Sequence, residues 1–257
     1  MGEDKRIALI TGSRRGIGFA IAEAFANNGD QPVIVDIELE EAKKAAEQLA
    51  EKYNIKPAAY KVDVADAKSV EKLISTVIND FGQIDILVNN AGLQHIDPVE
   101  NFPEEKWDLL IGVMLKGPFL MTKYVLPHMK KRKYGRIINI SSVHGKTASP
   151  YKSAYISAKH GVVGLTRTVA IEVANDNITV NAVLPGVVKT ILIENQLEKL
   201  AKEDGTTKEE ALLMHLLNKQ SIKRFIYPEE VAATCVFLAS EGASSITGDT
   251  ISVSGGW

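Results

Sequence analysis

The sequence predicts an α/β protein: a doubly wound parallel sheet of seven strands with helices on both faces. Three observations predict it. Short apolar, β-branched runs alternate with longer amphipathic stretches along the 257 residues, the pattern of repeated βαβ units. The runs are apolar nearly throughout rather than at every second position, as expected for strands covered on both faces. A glycine-rich turn joins the first run to the first amphipathic stretch.

In chain order the strand candidates are RIALIT (6–11), PVIVD (32–36), PAAYKVDV (57–64), IDILVNNA (84–91), GRIINISS (135–142), ITVNAVLP (178–185) and DTISVS (249–254). Helical periodicity fills 17–27, 40–52 and 67–80, and a further helix is expected near 228–240. The rhythm breaks at 190–226. There Gly205 reads as a helix stop, and Thr207 with Glu210 as a capping box. Two helices are therefore expected as a lid inserted after a strand end, placed to cover a site. No linker or repeat interrupts the chain, so one domain spanning 1–257 is expected.

Composition narrows the function. Apolar residues make up 45% and charged residues 24%, with a net charge of −2. That balance gives no global pull toward nucleic acid or a membrane. A single cysteine, Cys235, allows no internal disulfide and no four-cysteine zinc site. His95, His128, His160 and His215 show no metal-ligand spacing, so no metal is expected. The apolar run 7–10 is too short for a signal sequence or a membrane span, and a cytoplasmic protein is expected. The basic run KKRK (130–133) reads as cations favoured at a helix C-terminus rather than a nucleic-acid patch.

The first turn carries the cofactor signal. In ALITGSRRGIGFAIAEAF (8–25), Gly12, Gly16 and Gly18 let the backbone approach a pyrophosphate, and the helix beginning near Arg15 points free N–H groups at that anion. Asp36 ends the second strand, where an acid binds adenosine ribose hydroxyls and repels a 2′-phosphate. NAD is therefore expected over NADP, although Arg14 and Arg15 pull the other way. Asp63 reads either as an acceptor for the adenine amine or as a turn acid. NNAG (89–92) lies at the carboxyl edge, where ligands bind such sheets.

The chemistry signal lies in SSVHGKTASPYKSAYISAKHG (141–161). Tyr155 and Lys159 are i and i+4 on one helix face. An ammonium beside a phenol is expected to lower the phenol's pKa toward neutrality, which makes an acid or base of it. Ser142 can hydrogen-bond the same carbonyl oxygen. Lys152, Tyr155 and Lys159 form one stripe, with Lys152 where the helix dipole disfavours a cation. With His144 opposite, that charge reads as half of an anion site for a carboxylate; the alternative is a solvated lysine and a loop histidine.

Together TGSRRGIG, NNAG, Ser142, YISAK and PGVVKT (185–190) resemble the short-chain dehydrogenase/reductase family over 5–257. The resemblance implies a Rossmann-like fold. It implies Tyr155 as general acid/base, Lys159 as holder of the nicotinamide ribose, and Ser142 as the group that polarises the carbonyl. Asn90, Val188 and Thr190 would line the nicotinamide site, and Arg15, Ile17 and Val64 would join the cofactor contacts. One departure stands out: Met114 occupies the place of an asparagine that helps relay the proton.

Further stretches, including NNAGLQHIDPVENFPEEKWD and KSAYISAKHGVVG, are similar to the bacterial D-3-hydroxybutyrate dehydrogenases within that family. This likeness implies a carboxylate held by Gln94, His144, Lys152 and Gln196, and Trp257 against the substrate's methyl end. Val187 replaces a second tryptophan, so longer 3-hydroxy acids would fit unless Ile191, Leu192 and Leu197 of the lid fill the gap. The implied partner is a small 3-hydroxy or 3-oxo acid, and the implied assembly a homotetramer. A 3-oxoacyl or sugar-alcohol dehydrogenase, and a non-catalytic NAD-binding protein, are the competing readings.

Overall fold

A computed structural model describes residues 5–56 and 58–257, except for the side chains of Leu192 and Lys199. Seven parallel strands form one sheet: β1 (Ile7–Thr11), β2 (Gln31–Asp36), β3 (Ala59–Lys61), β4 (Ile86–Asn89), β5 (Gly135–Ile140), β6 (Ile178–Pro185) and β7 (Thr250–Val253). Their order is β3-β2-β1-β4-β5-β6-β7. The order reverses between β1 and β4, so a crevice opens at the carboxyl ends of these strands.

The continuous apolar runs have a direct cause. Ile7 and Leu9 of β1 enter one core, with α3 (Ala67–Phe81), α5 (Gly117–Arg132) and α6 (Ser153–Val173). Ala8 and Ile10 enter the other, with α1 (Gly16–Asn27), α2 (Leu39–Tyr53) and α9 (Pro228–Leu238). Both faces of the strand are buried, so neither can be polar.

α4 (Glu104–Ile111) runs through one wide π-type turn, Gly112–Lys116, into α5. The stretch Glu104–Arg132 is long and apolar enough to cross a membrane by length and composition. Its Leu120, Met121, Val125 and Met129 are part of the core. The lid is α7 (Ile191–Asp204), α8 (Lys208–Ala211) and a second π-type turn. Gly205 ends α7 at φ 65°, and Thr207 and Glu210 form the expected capping box.

Several expected elements are shorter. The third strand has three residues instead of eight. Pro57, its expected first residue, lies outside the described residues. At its other end, Asp63 Oδ1 accepts from the Ala65 amide at 2.9 Å and turns the chain toward α3, which Asp66 caps. β4 stops before Asn90 and β5 before Ser141. Asn90 and the Ser141–Ser142 pair thus lie beyond the strand ends, where their side chains make the contacts.

The opposite, amino edge is held by charge. Asp85 is 1% exposed and accepts from the Ile7 amide at 2.7 Å and from Arg132 at 2.6 Å. Asp85→Ala removes a charged acceptor and orphans that amide, so it should cost about 1–3 kcal/mol of stability. It lies at the far end of the strands from the crevice. Thermal unfolding and cofactor affinity, measured on one preparation, should show a lower Tm with unchanged affinity.

Candidate active site

A cleft of about 670 Å³ runs along the carboxyl edge of β1, β4, β5 and β6 and under the lid. Every residue expected to bind cofactor or substrate, or to act in catalysis, lines it. The sequence separates these residues by up to 245 positions, Gly12 to Trp257. The fold gathers them because they all sit where strands end.

At one end lies the glycine turn. Gly12 adopts φ 63°, and a Cβ there would stand 2.8 Å from Ala91 Cα. Glycine is thus required both by the backbone and by the neighbour. Asn90 secures the turn, donating from Nδ2 to the carbonyls of Thr11 (2.9 Å) and Gly12 (3.0 Å). Thr11 Oγ1 receives the amides of Asn90 and Ala91 in return. α1 begins at Gly16 with Arg15 at the N-cap, and no side chain caps it. Its free amides therefore face the cleft, as a diphosphate requires.

Asp36, 8% exposed, receives the amides of Arg14 (3.4 Å) and Glu38 (3.3 Å). Arg14 Nε also lies 3.3 Å from its Oδ1. The sequence set Arg14 against Asp36, whereas the structure pairs them. Arg14 is thus directed at the acid, and its charge there is partly cancelled. These groups fit a dinucleotide: backbone donors for the phosphates, and an acceptor beyond them for ribose hydroxyls.

Midway lies the tyrosine. Ser141 Oγ donates to the Lys159 carbonyl at 3.0 Å and fixes α6 against the end of β5. Lys159, 5% exposed, donates from Nζ to the Ile140 carbonyl at 2.8 Å. Its ammonium stands 5.6 Å from the centre of the Tyr155 ring. Burial lowers the lysine's pKa to about 8.

The expected acidification of Tyr155 by Lys159 is not what the ligand-free protein has. Burial raises the phenol's pKa, opposed only by a hydrogen bond with Ser142. Desolvation disfavours the phenolate, and the Lys159 ammonium, 5.6 Å from the ring centre, does not offset it.

The far end is cationic. Lys152 precedes α6 as its N-cap residue, one position before the helix the sequence placed it in. Burial lowers its pKa, and among the described residues no acid or carbonyl pairs with it. His144 stands edge-on to Tyr155, centroids 6.1 Å apart, and to Trp257 at 5.7 Å. Burial first, then Lys152, pushes its pKa down to about 4. Gln94 presents a buried Oε1 with no partner. Its amide orientation is interchangeable, so either a donor or an acceptor can face a ligand.

The lid supplies Gln196 together with residues the sequence did not indicate, including Asn195, His215 and Leu216. His215 is hydrogen-bonded to Asp204. Only packing of α7 against the second π-type turn brings these to the cleft, so no local pattern marks them. Val187, 8% exposed, lines the cleft and packs in one cluster with Leu197, Leu216 and Leu217, with Trp257 against it, so lid side chains stand beside it. Leu197 was an expected filler. Ile191 is 57% exposed, and the side chain of Leu192 lies outside the described residues.

A family model described as enoyl-(acyl carrier protein) reductase matches residues 12–257. The chain is 44% identical over 253 residues to an uncharacterized oxidoreductase, YxjF, of Bacillus subtilis, covering 98% of each. It is 41% identical over 253 residues to a D-beta-hydroxybutyrate dehydrogenase of Rhizobium meliloti, again covering 98% of each. A 3-oxoacyl-acyl-carrier-protein reductase of Thermotoga maritima is 38% identical over 254 residues, covering 98% of this chain and 97% of the relative. The chain belongs to the short-chain dehydrogenase/reductase family. It is an oxidoreductase, of a family that uses nicotinamide cofactors.

The depressed histidine has a consequence for stability. Between pH 6.5 and about 4 the unfolded chain binds a proton at His144 that the folded chain refuses. Stability should therefore fall as pH drops through that window. In His144→Gln the loss should be smaller, as read from Tm against pH in the two proteins.

Proposed function

We propose that the protein is an NAD-dependent dehydrogenase of short 3-hydroxy acids, interconverting D-3-hydroxybutyrate and acetoacetate. The observation that carries this reading is Lys152: a largely buried ammonium with no anionic partner among the described residues, in the same cleft as Tyr155 and Ser142. Isolated buried cations are costly, and a ligand carboxylate would supply the missing partner. Gln94, His144 and Gln196 surround the same region as neutral hydrogen-bonding groups. The name of the Rhizobium meliloti relative agrees with it.

In this reading the glycine turn, Asp36 and Lys159 would hold NAD, which would supply the hydride acceptor for C3 of the substrate. Tyr155 takes the hydroxyl proton during oxidation and returns it during reduction. Ser142 donates to the same oxygen. Lys159 holds the ribose, and Asp36 accepts from the adenosine ribose, which favours NAD. Asp63 keeps one carboxylate oxygen for the adenine amine while the other holds its turn. Val188 and Thr190 border the nicotinamide, and Thr190 also caps the lid helix through its side chain. Assembly as a homotetramer in the cytoplasm completes the proposal.

A 3-oxoacyl thioester is the competing substrate, as in the Thermotoga maritima relative. Such a thioester carries no carboxylate next to the reacting carbon, so Lys152 would stay unpaired.

The test is turnover of D-3-hydroxybutyrate with NAD. Native protein that oxidises it no better than 3-oxoacyl reductases do would refute the reading. In Lys152→Ala, KM for the acid should rise about ten- to a hundredfold, the value of a charge-assisted bond of about 1.5–3 kcal/mol, with KM for NAD unchanged.

Chain length offers a second check. Because lid side chains stand beside Val187, 3-hydroxyhexanoate should be a much poorer substrate than 3-hydroxybutyrate. Leu216→Ala should narrow that ratio of kcat/KM. Equal use of both acids by the native enzyme would show that the lid yields.

A further inference from the structure

Among the described residues, four other than glycine have a left-handed backbone: Asn54, Lys133, Tyr151 and Asn177. Asn54, Lys133 and Asn177 each sit where a helix ends. That is the ordinary place for this conformation. Tyr151, at φ 65°, is different, because it stands ahead of a helix, one position before Lys152. Pro150 and Tyr151 form a turn there. A proline followed by a positive φ is the pattern of a tight turn whose third residue is ordinarily glycine or asparagine. A bulky side chain is an outlier in this region. Burial of the ring does not offset the strain, since Tyr151 is 57% exposed.

The strained residue is held from both sides. Its carbonyl accepts the Asp97 amide at 3.0 Å. Asp97 lies in the loop that follows β4, and its carboxylate is hydrogen-bonded to His95 Nε2 at 2.7 Å. His95 stands edge-on to Phe102, centroids 5.1 Å apart. Phe102 in turn packs against the apolar cluster of Leu110, Met114, Ala154 and Ala158. On the other side the Lys152 carbonyl accepts the Ile156 amide at 2.9 Å and starts α6. Gln94, with its unpartnered buried Oε1, is three residues before Asp97 in the same loop. One main-chain bond therefore ties together the two loops that bring Gln94 and Lys152 into the cleft.

We propose that Tyr151 is a positioning residue: its left-handed backbone, clasped by the Asp97 amide, holds Lys152 in the cleft beside the Gln94 loop. This role rests on the hydroxy-acid reading above and names what keeps the anion site in shape. Strain of this kind persists where surrounding bonds over-determine the backbone. If φ at 151 returned to its ordinary negative range, the carbonyl would swing off the Asp97 amide. The chain ahead of α6 would then relax, and the ammonium would turn toward water, which it prefers to an unpaired place in the cleft. The work is done by the backbone, so the side chain at 151 matters only through the φ it allows.

Two substitutions separate backbone from ring. Tyr151→Asn and Tyr151→Val both remove the ring. Asparagine tolerates a positive φ, whereas valine strongly resists it. Apparent affinity falls in proportion to the fraction of molecules that hold the competent turn. KM for D-3-hydroxybutyrate should rise about fivefold or more in Tyr151→Val and stay within about twofold of native in Tyr151→Asn. Saturating acid restores the turn, so kcat and KM for NAD should match the native values in both. Equal KM for the acid in the two variants sinks the hinge, and so does a loss confined to kcat.

A second measurement needs no turnover. Reductive ¹³C-methylation followed by NMR reads the titration of each lysine in the ligand-free protein, with the Lys152 signal assigned by its loss in Lys152→Arg. Burial lowers the pKa of Lys152. In native protein and Tyr151→Asn its signal should titrate below the exposed lysines, and in Tyr151→Val it should move toward them. A Lys152 titration that is the same in Tyr151→Val as in native protein overturns the hinge whatever the substrate. Failure of the native enzyme to oxidise D-3-hydroxybutyrate, with the Lys152 signal moving as expected, overturns the substrate reading alone.

Discussion

The Lys159 ammonium is out of water and is held by a carbonyl oxygen, that of Ile140, at the end of β5. Much of the carboxyl edge depends on this bond. It locks the first turns of α6 to the sheet, together with the Ser141 contact to the Lys159 carbonyl. It demands a small residue where the helix meets the end of the strand, and Gly145 supplies it. A Cβ on Gly145 would lie 2.5 Å from Ser141 Oγ. A carboxylate in place of the carbonyl would hold the ammonium more strongly but would cancel its field at Tyr155. A neutral acceptor satisfies one N–H and leaves the positive charge in place, which is what a group that must become a phenolate needs beside it. Burial alone moves the two pKa values toward each other, lysine down and tyrosine up.

What the sequence revealed of this was local. The βαβ rhythm, the glycine turn, Asp36 at the end of a strand, and the spacing of Tyr155 and Lys159 are read within one or two elements. Periodicity and spacing decide these features before any tertiary contact forms. The failures are all non-local. Whether Arg14 opposes or engages Asp36 depends on how the turn folds back on β2. Whether Lys159 acidifies Tyr155 depends on how deeply the fold buries both groups, and the ammonium's place is set by the carbonyl of Ile140, nineteen positions away. The third strand is short because it lies at the sheet's edge, with only β2 to extend it. The anion cluster lay between these extremes. Lys152 stood out locally as a cation against a helix dipole, but only the fold shows that no acid among the described residues answers it.

The basic run 130–133 illustrates the same division. Lys130 and Lys133 both reach Asp176, and Arg132 reaches Asp85. Three of the four charges that look like a patch in the sequence are thus drawn to acids just before β4 and β6.

The lid has its own small core, separate from the two cores that cover the sheet. Val187 and Trp257 belong to that core but are fixed to the frame. Gln220, fully buried, ties in Val187: its Oε1 accepts the Val187 amide at 3.4 Å, and its Nε2 donates to the Ile222 and Arg224 carbonyls. The wall that would touch a substrate's methyl end is thus shared between the lid and the frame. Magnitudes then rank the two ends of an acid ligand. One methylene buried against that wall contributes about 0.8 kcal/mol. A carboxylate that completes a buried cation contributes about 1.5–3 kcal/mol, and its absence leaves the cation's desolvation unanswered. Discrimination against a neutral analogue should therefore be steep, and discrimination by length shallow unless the lid packs tightly. For the proposed 3-hydroxy acid substrate, the lid's leucines packed with Val187 are the groups that would make length matter.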